Sequence, residues 1–324
     1  MAWVSGTAST LTSSASIVHD AAAYYDRVAL DNVKKILMFA TLTTPKRLPK
    51  KSGLVHQMFR YIPFAANTTA GSQGAIGTPI TPTTETVSAT IAQYVDFINN
   101  SDVMDLTIID DYLTNQSEEM GYRAGLTVDT LIRTEFDSGS ATTSTALVGS
   151  NLGANDFRKM SSLLRGTDIS PAVGSDFLSL SHPYVQYDLI SETATGGFVD
   201  VTKYTSERNA ALFEGNELGK INGVRLGSST NVGTSGAGAT TKYWVYVVGK
   251  GAVAAVNLAD SNVGTPGSGR PEITVLNHDK DKVDPAGVIK SSISYNFLFV
   301  AKRLKSTSDT ERYQQTPADS SIAS

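Results

Sequence analysis

The stretch Asp102–Phe136, DVMDLTIIDDYLTNQSEEMGYRAGLTVDTLIRTEF, carries the longest helical pattern in the chain. Ile109, Leu113, Met120, Ala124 and Leu131 step by fours and sevens, which sets them along one side of a helix. From about Asp105 to Phe136 such a helix runs roughly 45 to 50 Å at 1.5 Å per residue. Gly121 and Gly125 lie inside it, each costing about 1 kcal/mol relative to Ala. Either the helix breaks there or something packs closely against that face.

Upstream, residues 1–19 are Ser/Thr/Ala-rich and aperiodic, the composition of a flexible arm. Asp20 can cap a helix over AAAYYDRVALDNVKKILMFA, where Tyr25, Ala29, Val33, Ile36 and Ala40 form one apolar face. In LPKKSGLVHQMFRYIPF, Val55, Gln57, Phe59 and Tyr61 alternate with His56, Met58, Arg60 and Ile62, the period of a strand. A second alternating run, ATIAQYVDFI, covers Ala89–Ile98. Between them lies a Gly/Thr/Pro-rich loop, longer than a compact domain usually tolerates without a functional reason. Residues 48–98 are therefore expected to form two long strands carrying a flexible tip away from the body.

Downstream the pattern becomes mixed. ANDFRKMSSLLRG predicts a short amphipathic helix with Phe157, Met160, Leu163 and Leu164 on one side. DFLSLSHPYVQYDLIS predicts a strand that runs into a helix with Pro183 in its first turn. KYWVYVVGKGAVAAVNL reads as a strand followed by a helix opening at Gly249. EITVLNH and SSISYNFLFVAKRL are further strands, with Gly/Ser loops expected at 226–241 and 260–271. The last 20 or so residues have the composition of a disordered tail.

Composition narrows the function. The chain has 324 residues, 40% of them hydrophobic and only 18% charged, with a net charge of -4. It can bury a substantial core, and it lacks the Lys/Arg excess of a tight DNA binder. It contains no cysteine, which excludes disulfides, thiolate metal sites and Cys nucleophiles. MAWVSGTASTLTSSASIVHD has neither a basic leader nor an apolar run, so no secretory signal is expected.

No catalytic, cofactor or metal site is expected. His19, His56, His182 and His278 are too widely spaced in sequence to sit on adjacent turns as metal ligands; His182 before Pro183 reads as a structural helix entry. HDKDKVDPAG resembles a calcium loop only faintly, because Val283 occupies the third ligand position. GTSGAG fails the nucleophile elbow at Ala237. In GNELGKINGVRLGSST, Gly215 and Gly219-Lys220 are one residue too close for a phosphate loop, and Ile221 stands where Ser or Thr would bind magnesium. That segment is expected to be a turn and strand, with Lys220 and Arg225 facing a neighbouring subunit or solvent.

Charge is distributed unevenly. Eight basic residues between Arg27 and Arg60 face only Asp31, whereas nine acids between Asp102 and Asp137 face only Arg123 and Arg133. One reading is two solvated faces. The other lays Lys46, Arg47, Lys50, Lys51 and Arg60 of one subunit across Asp110, Asp111, Glu118 and Glu119 of the next, which fixes register more than it adds affinity.

An arm, a projecting two-stranded loop, a very long helix and then a mixed lobe resemble, in that order, the major capsid proteins of tailed bacteriophages. That fold is shared with the herpesvirus capsid floor and with encapsulins. AAAYYDRVAL, LPKKSGLVHQMFRYIPF, ATIAQYVDFINNSDVMDLTIIDDYL, SHPYVQYDLIS, GGFVDVTKY, GNELGKINGVRLGSS and FLFVAKRL carry the resemblance over about residues 20–305.

The resemblance implies the α+β tailed-phage major capsid fold with an N-terminal arm (1–19) and an extended β-hairpin loop (48–98). It also implies a peripheral domain (20–47, 99–150 and 286–305) containing the spine helix at about 105–136, an α+β axial domain (151–285), and a tail (306–324) that is disordered or contacts partners. The implied protein is no enzyme and has no cofactor. It self-assembles through pentamers and hexamers into an icosahedral shell around double-stranded DNA held non-specifically, in the virion capsid and, during assembly, the host cytoplasm. Scaffolding, portal and decoration proteins are implied as partners, and a membrane is not. An encapsulin-like nanocompartment shell is the alternative, and a soluble hydrolase or binding protein a remote one.

Overall fold

The computed structural model describes residues 38–49, 51–62, 64–71, 73–74, 79–101, 112–139, 151–192, 217–236, 241–258, 272–276, 290–305 and 311–321. The expected arm, the helix expected over 21–40 as far as Leu37, the calcium-like loop and the loop at 260–271 lie outside these residues. In chain order the elements begin with a 3-10 turn, Phe39–Leu42, and strands β1 (Thr44–Leu48), β2 (Val55–Tyr61), β3 (Thr84–Thr90) and β4 (Ala92–Ser101). Helices α1 (Tyr112–Asp137) and α2 (Ala154–Gly166), strand β5 (Phe177–Ser181) and helix α3 (Pro183–Ser191) follow. Strands β6 (Glu217–Ile221), β7 (Val224–Ser228), β8 (Thr234–Ser235), β9 (Lys242–Val248), β10 (Val253–Leu258), β11 (Glu272–Leu276), β12 (Lys290–Arg303) and β13 (Tyr313–Ala318) complete the order.

The chain divides into two compact units, with α1 and β12 running through both. In the unit that includes 93–129 and 262–298, β11 pairs antiparallel with the first half of β12, from Glu272↔Asn296 to Leu276↔Ser292. Tyr94 stacks on Phe297 at 5.4 Å between ring centroids, and Gln93 donates to Asn296 at 3.0 Å. Arg123 and Asp96 form an ion pair at 2.6 Å. The first part of α1 buries Met120, Ala124 and Val128.

The long helix is continuous through Gly121 and Gly125, both buried. Its 26 described residues span about 39 Å. Burial recurs every fourth residue at Met120, Ala124, Val128, Ile132 and Phe136, with Ser117, Gly121, Gly125 and Asp129 buried beside them, so the covered stripe differs from the expected one and leaves Leu131 half-buried.

The other unit comprises 38–92, 130–261 and 299–324. Its larger sheet has the order β13-β9-β5-β7-β6, with β8 beside β9. Helices α2 and α3 cover it, burying Phe157, Met160, Leu164, Val185 and Leu189 against Phe177, Val224, Leu226, Val245 and Val247. α2 forms because its apolar residues recur at helical spacing and its ends are complemented. Asp156 accepts from the Gly153 backbone N–H at 3.0 Å, and Arg165 occupies the last turn, favourable for the helix dipole. Leu163, expected on the buried side, is exposed instead. In the smaller sheet of this unit, β1 runs parallel to β10, and β10 pairs antiparallel with the end of β12.

Four aromatic rings join distant segments in this unit. Phe136 packs against Phe39, Tyr246 and Tyr313 at centroid distances of 6.2, 5.8 and 5.1 Å. The Tyr246 hydroxyl is hydrogen-bonded to Asp137, whose carboxyl burial raises above its ordinary value.

Four sequence expectations are corrected. No helix opens at Gly249: Val253–Leu258 is a strand whose Ala254 and Ala255 are buried between β1 and β12. Tertiary pairing there overrides alanine's helix preference. Within the tail, Tyr313–Ala318 is not disordered but forms an edge strand of the larger sheet, paired from Tyr313↔Val248 to Ala318↔Tyr243. The 226–241 segment is not a structureless loop, since β7 ends at Ser228, Val232 is buried and β8 pairs with β9. The partner of β2 is TETVSAT at 84–90, not the run beginning at Ala89, which continues as β4 toward β12.

Candidate functional site

The two-stranded sheet β2–β3 is in register from Val55↔Thr90 to Tyr61↔Thr84, and the ladder extends to an Ile62 N–H donating to Thr83 O at 3.1 Å. Strand alternation gives it two unlike faces. His56, Met58 and Arg60 are half-covered, whereas Val55, Phe59 and Tyr61 are exposed, Phe59 by 68% and Tyr61 by 73%. Beyond the strands, Phe64 and Ile80 are exposed as well. The same outer face carries Gln57 and the β3 hydroxyls of Thr84, Thr86, Ser88 and Thr90, so it is an aromatic strand beside a hydroxyl-rich one. A two-stranded ribbon is marginal in water by itself, and large exposed aromatic side chains on it mark an interaction site.

Beside Arg60 of this ribbon the chain builds a cavity of about 390 Å³. Lys46 and Thr44 come from β1, Arg60 from β2, Thr167 to Ser170 from the turn after α2, Lys250 and Gly251 from the β9–β10 turn, and Leu304 and Arg312 from either side of 306–310. Backbone hydrogen bonds hold these walls together: Lys250 N–H donates to Ser170 O and Gly249 N–H to Arg312 O, both at 2.9 Å. Asp168 adopts the left-handed conformation (φ 57°), and Ile169 N–H returns to Leu164 O at 3.1 Å, ending α2 and turning this segment toward the cavity. Gly249 has to be glycine, because an added Cβ would lie 2.5 Å from Ile169 Cγ2 and 3.2 Å from Arg312 O.

A smaller cleft of about 180 Å³ shares Lys46, Arg60, Leu304 and Arg312 with the cavity and adds Met58, Phe59, Val87 and Glu85. Glu85 faces Arg60 directly across the ribbon. Burial and the neighbouring Arg312 charge lower the Arg60 pKa from its ordinary value, against the opposing pull of Glu85.

Of the residues expected to form an inter-subunit contact, Lys46 and Arg60 line this cavity. Arg47, Lys51, Glu118 and Glu119 are exposed. Lys50, Asp110 and Asp111 lie outside the described residues. Lys250 and Arg312 escaped sequence reading, because five separate segments build the cavity and no local period joins them.

The phosphate-loop-like segment is the turn and strand expected of it. β6 and β7 form a hairpin turned by Asn222 and Gly223, both at positive φ (46° and 77°) as a tight Asn-Gly turn requires. Lys220 and Arg225 make contacts within the chain. Both bind the buried Asp176, at 2.7 and 3.2 Å, and Ser175 Oγ donates to the same carboxylate at 3.2 Å. His182 caps α3 as expected: its Nδ1 accepts the Tyr184 N–H at 3.2 Å, and its ring stacks on Tyr243 at 4.2 Å. Among the described residues no group of three or more His, Asp or Glu side chains could hold a metal ion, and no helix is long and apolar enough to cross a membrane.

No protein-family model matches the sequence, and no curated protein matches it. Solved structures do match. The chain aligns with the capsid structure of the cyanophage P-SCSP1u over 88% of its own length and 89% of that chain, with TM-score 0.62 and 16% identity. The capsid of Ralstonia phage GP4 aligns over 86% and 88%, with TM-score 0.63 and 14% identity. The head structure of Helicobacter pylori bacteriophage KHP40 aligns over 85% and 88%, with TM-score 0.60 and 11% identity. The fold is that of these phage capsid structures, and it extends over most of the chain.

Proposed function

We propose that this chain, which has the phage capsid fold, is the major capsid protein of a tailed bacteriophage. Copies of it assemble through pentamers and hexamers into an icosahedral shell around double-stranded DNA. The observation that carries this reading is the near full-length match to capsid structures.

The physics of the surface supports the same reading. A shell subunit must bind copies of itself through several faces, and an extended ribbon does so with little sequence demand, because its strand edges supply hydrogen bonds. Here the ribbon also presents Phe59 and Tyr61 to solvent. Many modest contacts of this kind sum to a durable shell without disulfides, consistent with a chain that has no cysteine. The peripheral and axial lobes, the basic and acidic faces and the arm are assigned by the capsid reading. So are scaffolding, portal and decoration partners, the virion as destination and the host cytoplasm as assembly site.

A net charge of -4 favours containment of DNA over tight binding, since a strongly basic wall would hold phosphates as counterions are released. The unassembled subunit is expected to give no salt-sensitive mobility shift with duplex DNA. Negative-stain electron microscopy of the purified chain, with its elution volume, tests the main reading. Closed shells, or rings of five or six, are expected. A native particle whose shell lacks this chain would overturn it.

A further inference from the structure

We infer that the cationic well beside Arg60 of the β2–β3 ribbon, with the apolar cleft that shares its lining, seats an acidic side chain and its apolar neighbour from a second copy of the chain, and that Glu118, Glu119 and Tyr122 are that segment. The inference rests on the shell-forming reading and names the contact that this reading leaves open.

The well concentrates positive charge. Lys46, Arg60, Lys250 and Arg312 line the two connected spaces, against Asp168 and Glu85. Four cations from separate segments, in walls already joined by backbone hydrogen bonds, make a preformed site for an oxyanion. Hydroxyl groups of Thr44, Thr167 and Ser170 add donors of the kind a carboxylate accepts.

The cleft identifies the occupant. It adjoins the well through Lys46, Arg60 and Arg312 but is walled by Met58, Phe59 and Val87. A free phosphate would fill the polar part and leave this apolar wall in water. A peptide segment with a carboxylate and a large apolar side chain one helical turn apart fills both. On α1, Glu118 and Glu119 are exposed, and Tyr122, 47% exposed, stands four and three residues further on. That spacing puts the phenol ring on the same side as the carboxylates. Neither glutamate has an ion pair among the described residues. In a shell every copy meets such helices at high effective concentration, and opposite charges set register and encounter rate.

The cysteine-free sequence makes a direct test simple. Full-length Lys250→Cys and Glu119→Cys chains are co-assembled and treated with a short bifunctional thiol cross-linker, because a Lys–Glu ion pair spaces its Cα atoms too widely for a direct disulfide. A cross-linked dimer is expected in the mixture and not in either variant alone. Shells that form without that cross-link overturn the inference and leave the capsid reading standing. If the unmodified chain forms no shell by itself, cross-linking of the mixed chains in solution decides the pairing, and the shell of the native particle decides the capsid reading.

A charge swap supplies the second readout. Lys250→Glu is expected to raise the concentration needed for assembly by about tenfold, with Glu119→Lys in the same chain restoring it. An unchanged threshold, or a loss that the swap does not restore, overturns the pairing. Inorganic phosphate that protects the Lys250→Cys thiol from alkylation, with no mixed cross-link in shells, would make the well a phosphate site and also overturn it.

Discussion

Tyr313 donates its hydroxyl hydrogen bond to the main-chain carbonyl oxygen of Phe136 at 2.7 Å, across 177 residues of chain. Its ring meets the Phe136 ring edge-on at 5.1 Å. The last strand is thereby tied to the end of the longest helix. Nearby, Arg303 and Lys305 hold the buried Glu311 at 2.9 and 3.2 Å, and Gln315 donates to Gly139 O at 3.3 Å.

Tyr313→Phe keeps the ring and removes one donor from a buried carbonyl, so it should cost about 1–3 kcal/mol. Tyr313→Ala also empties the space beside Phe136 and should cost about 3–5 kcal/mol. Urea unfolding of the two variants checks the order. Equal losses would mean that the hydroxyl contributes and the ring does not.

Asp176 predicts an acid-sensitive stability. Burial pushes its carboxyl up, but hydrogen bonds from Lys220 and Arg225, with the Lys220 charge, outweigh that and hold it below its ordinary value. The unfolded carboxyl titrates near about 3.9. With the folded value lower, the stabilisation is complete above the unfolded value and is lost as pH falls through the folded one. Asp176→Asn should cost about 1.5–3 kcal/mol at neutral pH, the worth of a charge-assisted bond. The gap from the parent chain should narrow below roughly pH 4, as followed by unfolding at several pH values.

His182 predicts a pH effect nearer neutrality. Burial lowers its pKa from the ordinary value near 6.5, and its unprotonated Nδ1 is the acceptor that caps α3. A depressed folded value means stability is complete above the unfolded pKa and is lost as pH falls through the folded one. His182→Asn keeps a capping acceptor that does not titrate, so its stability should vary less between pH 7 and 5. A His182 titration in NMR with a midpoint above the model-peptide value would contradict this.

Phe59→Ser and Tyr61→Ser separate folding from assembly. Both side chains are exposed in the subunit, so subunit stability should change by no more than about 0.5 kcal/mol. If the outer face of the ribbon meets a second copy, the same changes should prevent closed shells. Intact shells from the double variant, seen by negative stain, would remove the ribbon face from the interface.

Part of this architecture was legible without coordinates, and the legible parts share a cause. The alternation over Val55–Tyr61, the stripe through Phe157, Met160 and Leu164, and Pro183 behind a capping His182 are local signals. A strand or helix announces itself over a few residues by its own period. The unbroken α1 was less legible, because Gly121 and Gly125 lower propensity while their burial lies outside the sequence window. At the candidate site, Lys46 and Arg60 were singled out by charge alone, and their convergence with Lys250 and Arg312 was invisible.

By itself, then, the sequence determined the identity of most elements, the apolar alternation of the ribbon, the capping of α3 and the absence of any cysteine chemistry. The tertiary structure decided the rest. It made VAAVNL a strand and YQQTPA an edge strand, gave β2 its partner at 84–90, turned Lys220 and Arg225 onto Asp176, and gathered five segments around one well. In each case the deciding partner lies far away in sequence. Backbone pairing, burial and ion pairing across that distance outweigh local propensities of at most about 1 kcal/mol per residue.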